Sequence, residues 1–198
     1  MGRQRRSAEE LRRPHPRRGA ALSTAGLVLA AGEGRRFGGP KAPYVVDGER
    51  LVDRAVRLLR EAGCSPVVVV LGAWVGDVPE ATVVVNDGWS EGMGSSLRTG
   101  LDALSAYDDV DRALVTLVDL VGLTSAAVQR VLGSEADLAA AAYDGRRGHP
   151  VLLARSRWGD AGAVAQGDRG ARDLLASAEV DLVEVGDIAT DDDLDVRP

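Results

Sequence analysis

The sequence predicts an α/β fold of three layers, α/β/α, with a Rossmann-like, mostly parallel sheet in the middle. Three observations carry that prediction. Strand-like and helix-like segments alternate along the chain, the order in which βαβ crossovers are built. The strand-like segments, Val67–Leu71 above all, are continuous apolar runs rather than alternating ones, as expected of strands covered on both faces. Hydrophobic residues reach 45% while aromatics supply only 4%, so the core must come from Val, Leu and Ala rather than from the rings of a β-sandwich. At 198 residues the chain holds one well-cored domain and is too short for two ordinary ones.

Each element has its own signal. Gly26–Ala31 reads as a short buried strand that opens into a loop rich in Gly and Arg. Tyr44–Gly48 is a small extended piece closed by the turn pair Asp47-Gly48. From Leu51 to Glu61 the apolar residues Leu51, Val52, Ala55, Val56, Leu58 and Leu59 keep helical spacing, and Gly63 is a suitable C-cap. Val67–Leu71 fits a central parallel strand, and Thr82–Val85 is a further strand. A loop, Asn86–Gly94, leads into a helix from about Ser95 to Ala106. Ala113–Val118 is a buried strand ending at Asp119, and Thr124 caps a helix that runs through Val131. Leu138–Tyr143 and Val151–Ala154 are strands separated by the turn-rich Gly145-Arg146-Arg147-Gly148. Arg169–Ala176 is helical, and Leu182–Val185 is the last strand. Neither a repeat nor a linker interrupts this series, so residues 23–198 form a single domain.

Charge divides the chain. Net charge is −6, yet seven arginines from Arg3 to Arg18 crowd residues 1–22, which read as a basic, flexible N-terminal arm. The body is correspondingly acidic and closes with Asp187, Asp191, Asp192, Asp193 and Asp195, which argues against a nucleic-acid groove. Arg17-Arg18 and the apolar stretch after them imitate a signal peptide, but Ser23, Thr24 and Gly26 break the stretch. No later run is long enough to span a bilayer, so the expectation is a cytoplasmic protein without membrane or nucleic-acid partners. Cys64 is the only cysteine, excludes an intrachain disulfide, and reads as an inert structural thiol.

The chemistry concentrates after the first strand, in Leu29-Ala30-Ala31-Gly32-Glu33-Gly34-Arg35-Arg36-Phe37-Gly38-Gly39-Pro40-Lys41. Ligands of open parallel sheets bind beyond the carboxyl ends of the strands, where this loop must lie. Its glycines can turn amides toward an anion, and Arg36 and Lys41 add fixed positive charge, a combination suited to a triphosphate. Two commoner phosphate loops are excluded. Three residues rather than two separate Gly34 from Gly38, and no acidic residue ends the Val67–Leu71 strand, so the dinucleotide fingerprint fails. Pro40 precedes Lys41 and Ala42 follows it, so the Gly-Lys-Ser/Thr of a P-loop is absent.

Asp119 ends a buried strand at the same sheet edge, where it either holds Mg²⁺ or caps the next turn. Asn86, Ser95 and Ser96 border the expected pocket, as base or ribose partners or as a helix N-cap. Trp89 reads as a partly buried anchor. Arg147 and His149, with the Gly167-Asp168-Arg169-Gly170 turn, are either structural or bind the phosphate of a second substrate.

The Leu29–Lys41 string resembles the signature of the molybdenum-cofactor nucleotidyltransferases, and more closely that of their cytidylyltransferase branch. The similarity continues in order through Asn86–Leu97, Leu117-Val118-Asp119, Gly148-His149-Pro150 and Gly167–Gly170. The resemblance implies a sheet of the nucleotide-diphospho-sugar transferase type and a nucleotide site made by Leu29, Ala30, Ala31, Gly32, Gly34, Arg35, Gly38, Gly39, Lys41, Leu71, Asn86, Ser95 and Ser96. It implies Mg²⁺ on Asp119, catalytic roles for Lys41, Arg36 and Asp119, and acceptor contacts from Arg147, His149, Asp168 and Arg169. In the reaction it implies, the phosphate of a molybdopterin acceptor attacks the α-phosphorus of CTP and pyrophosphate leaves, with a molybdoenzyme or its chaperone as a further partner. By the same resemblance, Ala30-Ala31 goes with cytosine where a Gly-Gly pair goes with guanine. Two departures stand out. Val121 replaces a usual proline two residues after the aspartate, and Ala189 replaces the middle acidic or amide residue of a C-terminal Asp-Ile-Asp-Thr-Pro motif. Asp187, Asp191 or water would then have to complete the metal site.

Overall fold

The computed structural model describes residues 23–165, 167, 176 and 179–197. Along the chain run β1 (Ser23–Leu29), a small hairpin of β2 (Val45–Val46) and β3 (Glu49–Arg50), α1 (Leu51–Glu61), β4 (Val67–Leu71) and β5 (Thr82–Val85). They are followed by α2 (Met93–Leu104), β6 (Val110–Leu117), α3 (Ser125–Leu132), β7 (Leu138–Tyr143), β8 (Arg146–Ala154), α4 (Trp158–Val164) and β9 (Asp181–Glu184). Seven strands form one sheet in the order β5-β4-β1-β6-β8-β7-β9. Only β8 runs against its neighbours, pairing antiparallel with both β6 and β7.

The sheet separates two cores, and the side-chain alternation of a strand explains the division. On β4, Val67, Val69 and Leu71 face one side, where α1 contributes Val56 and Leu59 and α3 contributes Val128 and Val131. Val68 and Val70 face the other, against Leu97 and Leu101 of α2 and Trp158 of α4. Five consecutive apolar residues are therefore all buried, each within 2% of complete burial, which is why β4 carries no alternation in its sequence.

Turn chemistry sets the connections. Asp47 and Gly48 take φ of 51° and 85°, the pair of positive values that a two-residue hairpin turn requires. Thr124 is the N-cap of α3, its hydroxyl accepting from the Ala127 amide at 3.2 Å. The turn between β7 and β8 is tighter than its sequence suggested: Asp144 and Gly145 make it, at φ 52° and 75°. Arg146, Arg147 and Gly148 consequently belong to β8. The short α4 has no counterpart in the sequence reading, because Gly159 and Gly162 leave it too little apolar periodicity. The helix expected over Arg169–Ala176 falls, except for Ala176, outside the described residues. Among the described residues, no helix is long and apolar enough to cross a membrane.

Candidate active site

β1 and β6 are parallel neighbours in register, with Leu29 opposite Leu117. The chain leaves both strands at one sheet edge, and the Gly-rich loop and Asp119 therefore emerge side by side. The ladder extends one residue further, the Val118 amide donating to the Leu29 carbonyl at 3.2 Å. Between the two exits lies a cleft of about 380 Å³ walled by residues 29–35, Lys41, the Trp89–Met93 turn, Ser96 and residues 117–119. Lys41 donates to Asp119 Oδ2 at 2.7 Å, and the two side chains are only 14% and 17% exposed. Glycine loop, lysine and carboxylate thus share a single cleft.

The loop divides into a presenting half and a bracing half. Gly38 and Gly39 donate their amides to the Gly34 carbonyl at 2.8 and 3.1 Å, closing a turn. Gly34 takes φ 63°, and a methyl group there would strike the Gly39 carbonyl, so the turn needs glycine twice over. Residues 32–35 line the cleft, and their amides donate to no backbone carbonyl among the described residues. They are the donors available to an anion; those of Gly38 and Gly39 are already used. Arg35 pairs with Glu33 and is 83% exposed. Arg36 lies outside the cleft wall and pairs with Asp195 at 2.9 Å.

The remaining predicted nucleotide residues act mostly at one remove. Leu71 is fully buried in the core, and its carbonyl accepts from the Asn86 amide at 2.8 Å. The Asn86 side chain is spent internally, donating to Ser95 Oγ at 2.8 Å and Ser96 Oγ at 3.1 Å while accepting from the Gly88 amide. Ser95 in turn donates to the Gly88 and Gly92 carbonyls. This network fixes the loop that carries Trp89, Gly92 and Met93 into the cleft wall; of the three polar residues only Ser96 lines the cleft itself.

The loop after Asp119 is held without proline. Arg54, reaching over from α1, donates to the Val121 carbonyl at 2.7 Å and the Leu123 carbonyl at 3.1 Å. The C-terminal segment pairs along it, Leu120 bridging Asp193 and the Leu194 amide donating to the Asp119 carbonyl at 3.0 Å. Gly122 admits that close approach, since a side chain there would meet Thr190. Nothing local in the sequence marks Arg54, because its partners lie more than sixty residues away.

The carboxylates considered in place of Ala189 are engaged elsewhere. Asp187 is bound by Arg130 of α3, whose guanidinium holds its carboxyl below the usual aspartate range. Asp191 lies 3.4 Å from Arg146. Ala189 itself is packed into the core. The acid that does reach the site is Asp195, 3.6 Å from Lys41 Nζ.

Arg147 and His149 begin β8, whose antiparallel register with β6 brings them to the same sheet edge as Asp119, though neither lines the cleft. The His149 carbonyl accepts from the Tyr143 hydroxyl at 2.8 Å. Asp168 and Arg169 lie outside the described residues.

Comparison with known proteins decides the family, since residues 26–183 match the model of the MobA-like NTP transferase domain. The chain belongs to the MobA-like NTP transferases. It is therefore a nucleotidyltransferase-family chain, and its mixed seven-stranded sheet is the one found in nucleotidyltransferase structures. It is 36% identical over 188 residues to the nicotine blue oxidoreductase of Paenarthrobacter nicotinovorans, covering 86% of this chain and 91% of that protein. It is 29% identical to a probable molybdenum cofactor guanylyltransferase of Mycobacterium ulcerans, covering 85% and 87%. Among solved structures, the Rv0371c protein of Mycobacterium tuberculosis H37Rv superposes with a TM-score of 0.72 at 25% identity, covering 88% of this chain and 94% of that one. A manganese complex of the same Mycobacterium tuberculosis protein gives a TM-score of 0.70 at 23% identity, covering 87% and 94%.

Proposed function

We propose that this MobA-like transferase moves CMP from CTP, with Mg²⁺, to the terminal phosphate of a small phosphorylated acceptor, a molybdopterin, and releases pyrophosphate. The observation that carries the reading is the meeting of unspent loop amides, Lys41 and Asp119 in one cleft. The donor set suits a hard divalent ion, because the Asp119 carboxylate already faces a cation there, the Lys41 ammonium. Among the described residues no group of three or more His, Cys, Asp or Glu gathers, so the protein would offer one carboxylate, with phosphate oxygens and water as the other ligands. Mg²⁺ is commonly held in that way. A bound ion would neutralise developing charge on the phosphates. The chain's own contribution is positional: amides of residues 32–35 and Lys41 orient the polyphosphate and stabilise charge on the leaving group. No general base is needed, since a phosphate nucleophile is ionised near neutral pH.

The preference for CTP rests on Ala31. This residue lines the cleft, and its methyl and the Trp89 side chain both occupy the space that a side chain at Gly72 would need, so we read the same methyl as limiting the room for a base. A pyrimidine asks for less room there than a purine. The test is pyrophosphate release from CTP and GTP with Mg²⁺ and a phosphorylated pterin. CTP should be preferred, and Ala31→Gly should move the preference toward GTP. Equal use of both nucleotides by both proteins refutes the base assignment, and no release from either refutes the transferase.

A second reading is favoured by the 36% identity to an oxidoreductase along nearly the whole chain. Ala189, which gives up a polar position of the C-terminal motif, sits more easily with metal-independent chemistry. A redox enzyme on this scaffold would consume a reduced nicotinamide or flavin donor in the presence of a conjugated dye, indifferent to EDTA, and would release no pyrophosphate.

A further inference from the structure

The segment from Thr190 to Arg197 crosses from the Asp119 loop to the Gly-rich loop and is fastened at both ends. At the first, Leu194 donates to the Asp119 carbonyl and Asp193 bridges Leu120. At the second, Arg197 donates to the Gly38 carbonyl at 3.3 Å and lies over the rings of Phe37 and Tyr44, at 5.2 and 5.6 Å from their centroids. Between these anchors Asp195 places one carboxylate oxygen 2.9 Å from Arg36 and the other 3.6 Å from Lys41. Arg36 lies within the glycine turn, and Lys41 follows it in the cleft wall.

We propose that Asp195 is an internal competitor for the polyphosphate site: its carboxylate takes the place of a phosphate on Arg36 and Lys41, and the 190–197 strap must lift from the Gly-rich loop before a polyphosphate can be fully seated. The inference rests on the reading of the cleft as a polyphosphate site. A carboxylate and a phosphate oxygen satisfy a guanidinium and an ammonium in the same manner, so the two anions exclude one another at shared cations. The contact is weak enough to be displaced. Arg36 is 79% and Asp195 40% exposed, and ion pairs so open to water contribute little. A triphosphate brings several charges against one. The strap also accounts for the acidic C-terminus, whose Asp187 and Asp191 are tied to Arg130 and Arg146 while Asp195 reaches Lys41 in the cleft wall and Arg36 outside it.

The test is calorimetric binding of inorganic tripolyphosphate, without metal, to the full chain and to its Asp195→Asn variant, together with hydrogen exchange of the Leu194 amide. Asp195→Asn should bind tripolyphosphate about three- to tenfold more tightly, the range expected for removing one exposed ion pair, to Arg36, and one longer contact, to the mostly buried Lys41. In the unaltered protein, saturating tripolyphosphate should speed exchange at Leu194. Unchanged or weaker binding by the variant overturns the proposal, as does slower exchange at Leu194 on binding, which would make the strap a clamp. Tighter binding by the variant, with no turnover of any nucleoside triphosphate by either protein, leaves the competitor standing and removes the transferase reading instead.

Discussion

Replacing Asp119 by alanine separates the structural part this carboxylate plays from the catalytic part proposed for it. Structurally it is half of a partly buried ion pair, 2.7 Å from an ammonium, with side chains 14% and 17% exposed. A hydrogen bond to a charged group contributes about 1.5–3 kcal/mol when fully enclosed. Here the loss is smaller, about 1–2 kcal/mol, because the cleft admits water and Lys41 keeps Asp195 at 3.6 Å as a remaining counter-ion. For a domain of this size each kcal/mol lowers Tm by roughly 2–4 °C, so the variant should melt about 2–8 °C lower and still fold. Catalytically the loss is of another order. Removing a fixed group aimed at charge that develops in the transition state lowers kcat by about a hundred- to a thousandfold. The assay pairs pyrophosphate release, at saturating nucleotide and Mg²⁺, with a circular-dichroism melt. A folded variant that releases pyrophosphate within tenfold of the unaltered protein would refute the metal role. Collapse of both signals would instead show that the pair is a structural keystone.

Three other perturbations test separate parts. Gly34→Ala should weaken nucleoside triphosphate binding at least about fivefold in calorimetry, since φ 63° and the Gly39 carbonyl leave no room for a methyl and the strain is worth about 1–3 kcal/mol; unchanged affinity would mean the turn does not shape the site. Thr124→Ala should lower stability by about 1 kcal/mol through loss of the α3 cap, seen as a shifted urea midpoint at constant slope, and should leave nucleotide affinity alone. Cys64 is 3% exposed, and burial pushes its thiol up to about 12. A raised thiol value means that only the unfolded chain ionises between roughly pH 9 and 12, so this group's contribution to stability is intact below that window and falls as pH climbs through it. The thiol should therefore ignore a disulfide reagent at pH 8 in the native protein and react fully in urea; rapid native labelling would contradict its burial.

Much of the fold was legible because it depends on local signals. The 51–61 helix has six apolar residues at helical spacing and a glycine at φ 97° two residues past its end, and it forms over those residues. The runs at 67–71 and 82–85 become strands with the same bounds; the first, five apolar residues long, is buried between two layers, while the second is the half-exposed edge strand β5. The site was legible to the extent that it is contiguous. Gly32–Arg35 and Lys41 were visible as a string, and Asp119 as the end of a strand. What escaped is whatever topology alone creates. Arg54 and Asp195 reach the site across sequence separations that no spacing rule encodes. The internal use of Asn86 and the commitment of the Gly38 and Gly39 amides follow from loop closure, which composition does not reveal.

The relatives bearing transferase and oxidoreductase names show that the scaffold does not settle the chemistry. The parts on which the proposed polyphosphate site rests, the glycine turn, the lysine and the sheet edge, stand together here. The parts that a metal-assisted transfer needs in addition are oxygen ligands, and here one position of the usual motif is Ala189, packed into the core. The metal proposed for this site would then rest on Asp119 and on whatever the C-terminal strap brings. If Asp195 stays on Arg36 and Lys41, it opposes the polyphosphate. If a divalent ion draws it toward Asp119, the same residue assists it. Mg²⁺ is therefore the deciding variable. Tripolyphosphate affinity of Asp195→Asn relative to the unaltered protein should exceed one without metal, and a ratio that falls below one on adding Mg²⁺ would show the strap changing sides, from competitor to ligand. A ratio indifferent to Mg²⁺ would place the metal on Asp119 and the phosphates alone.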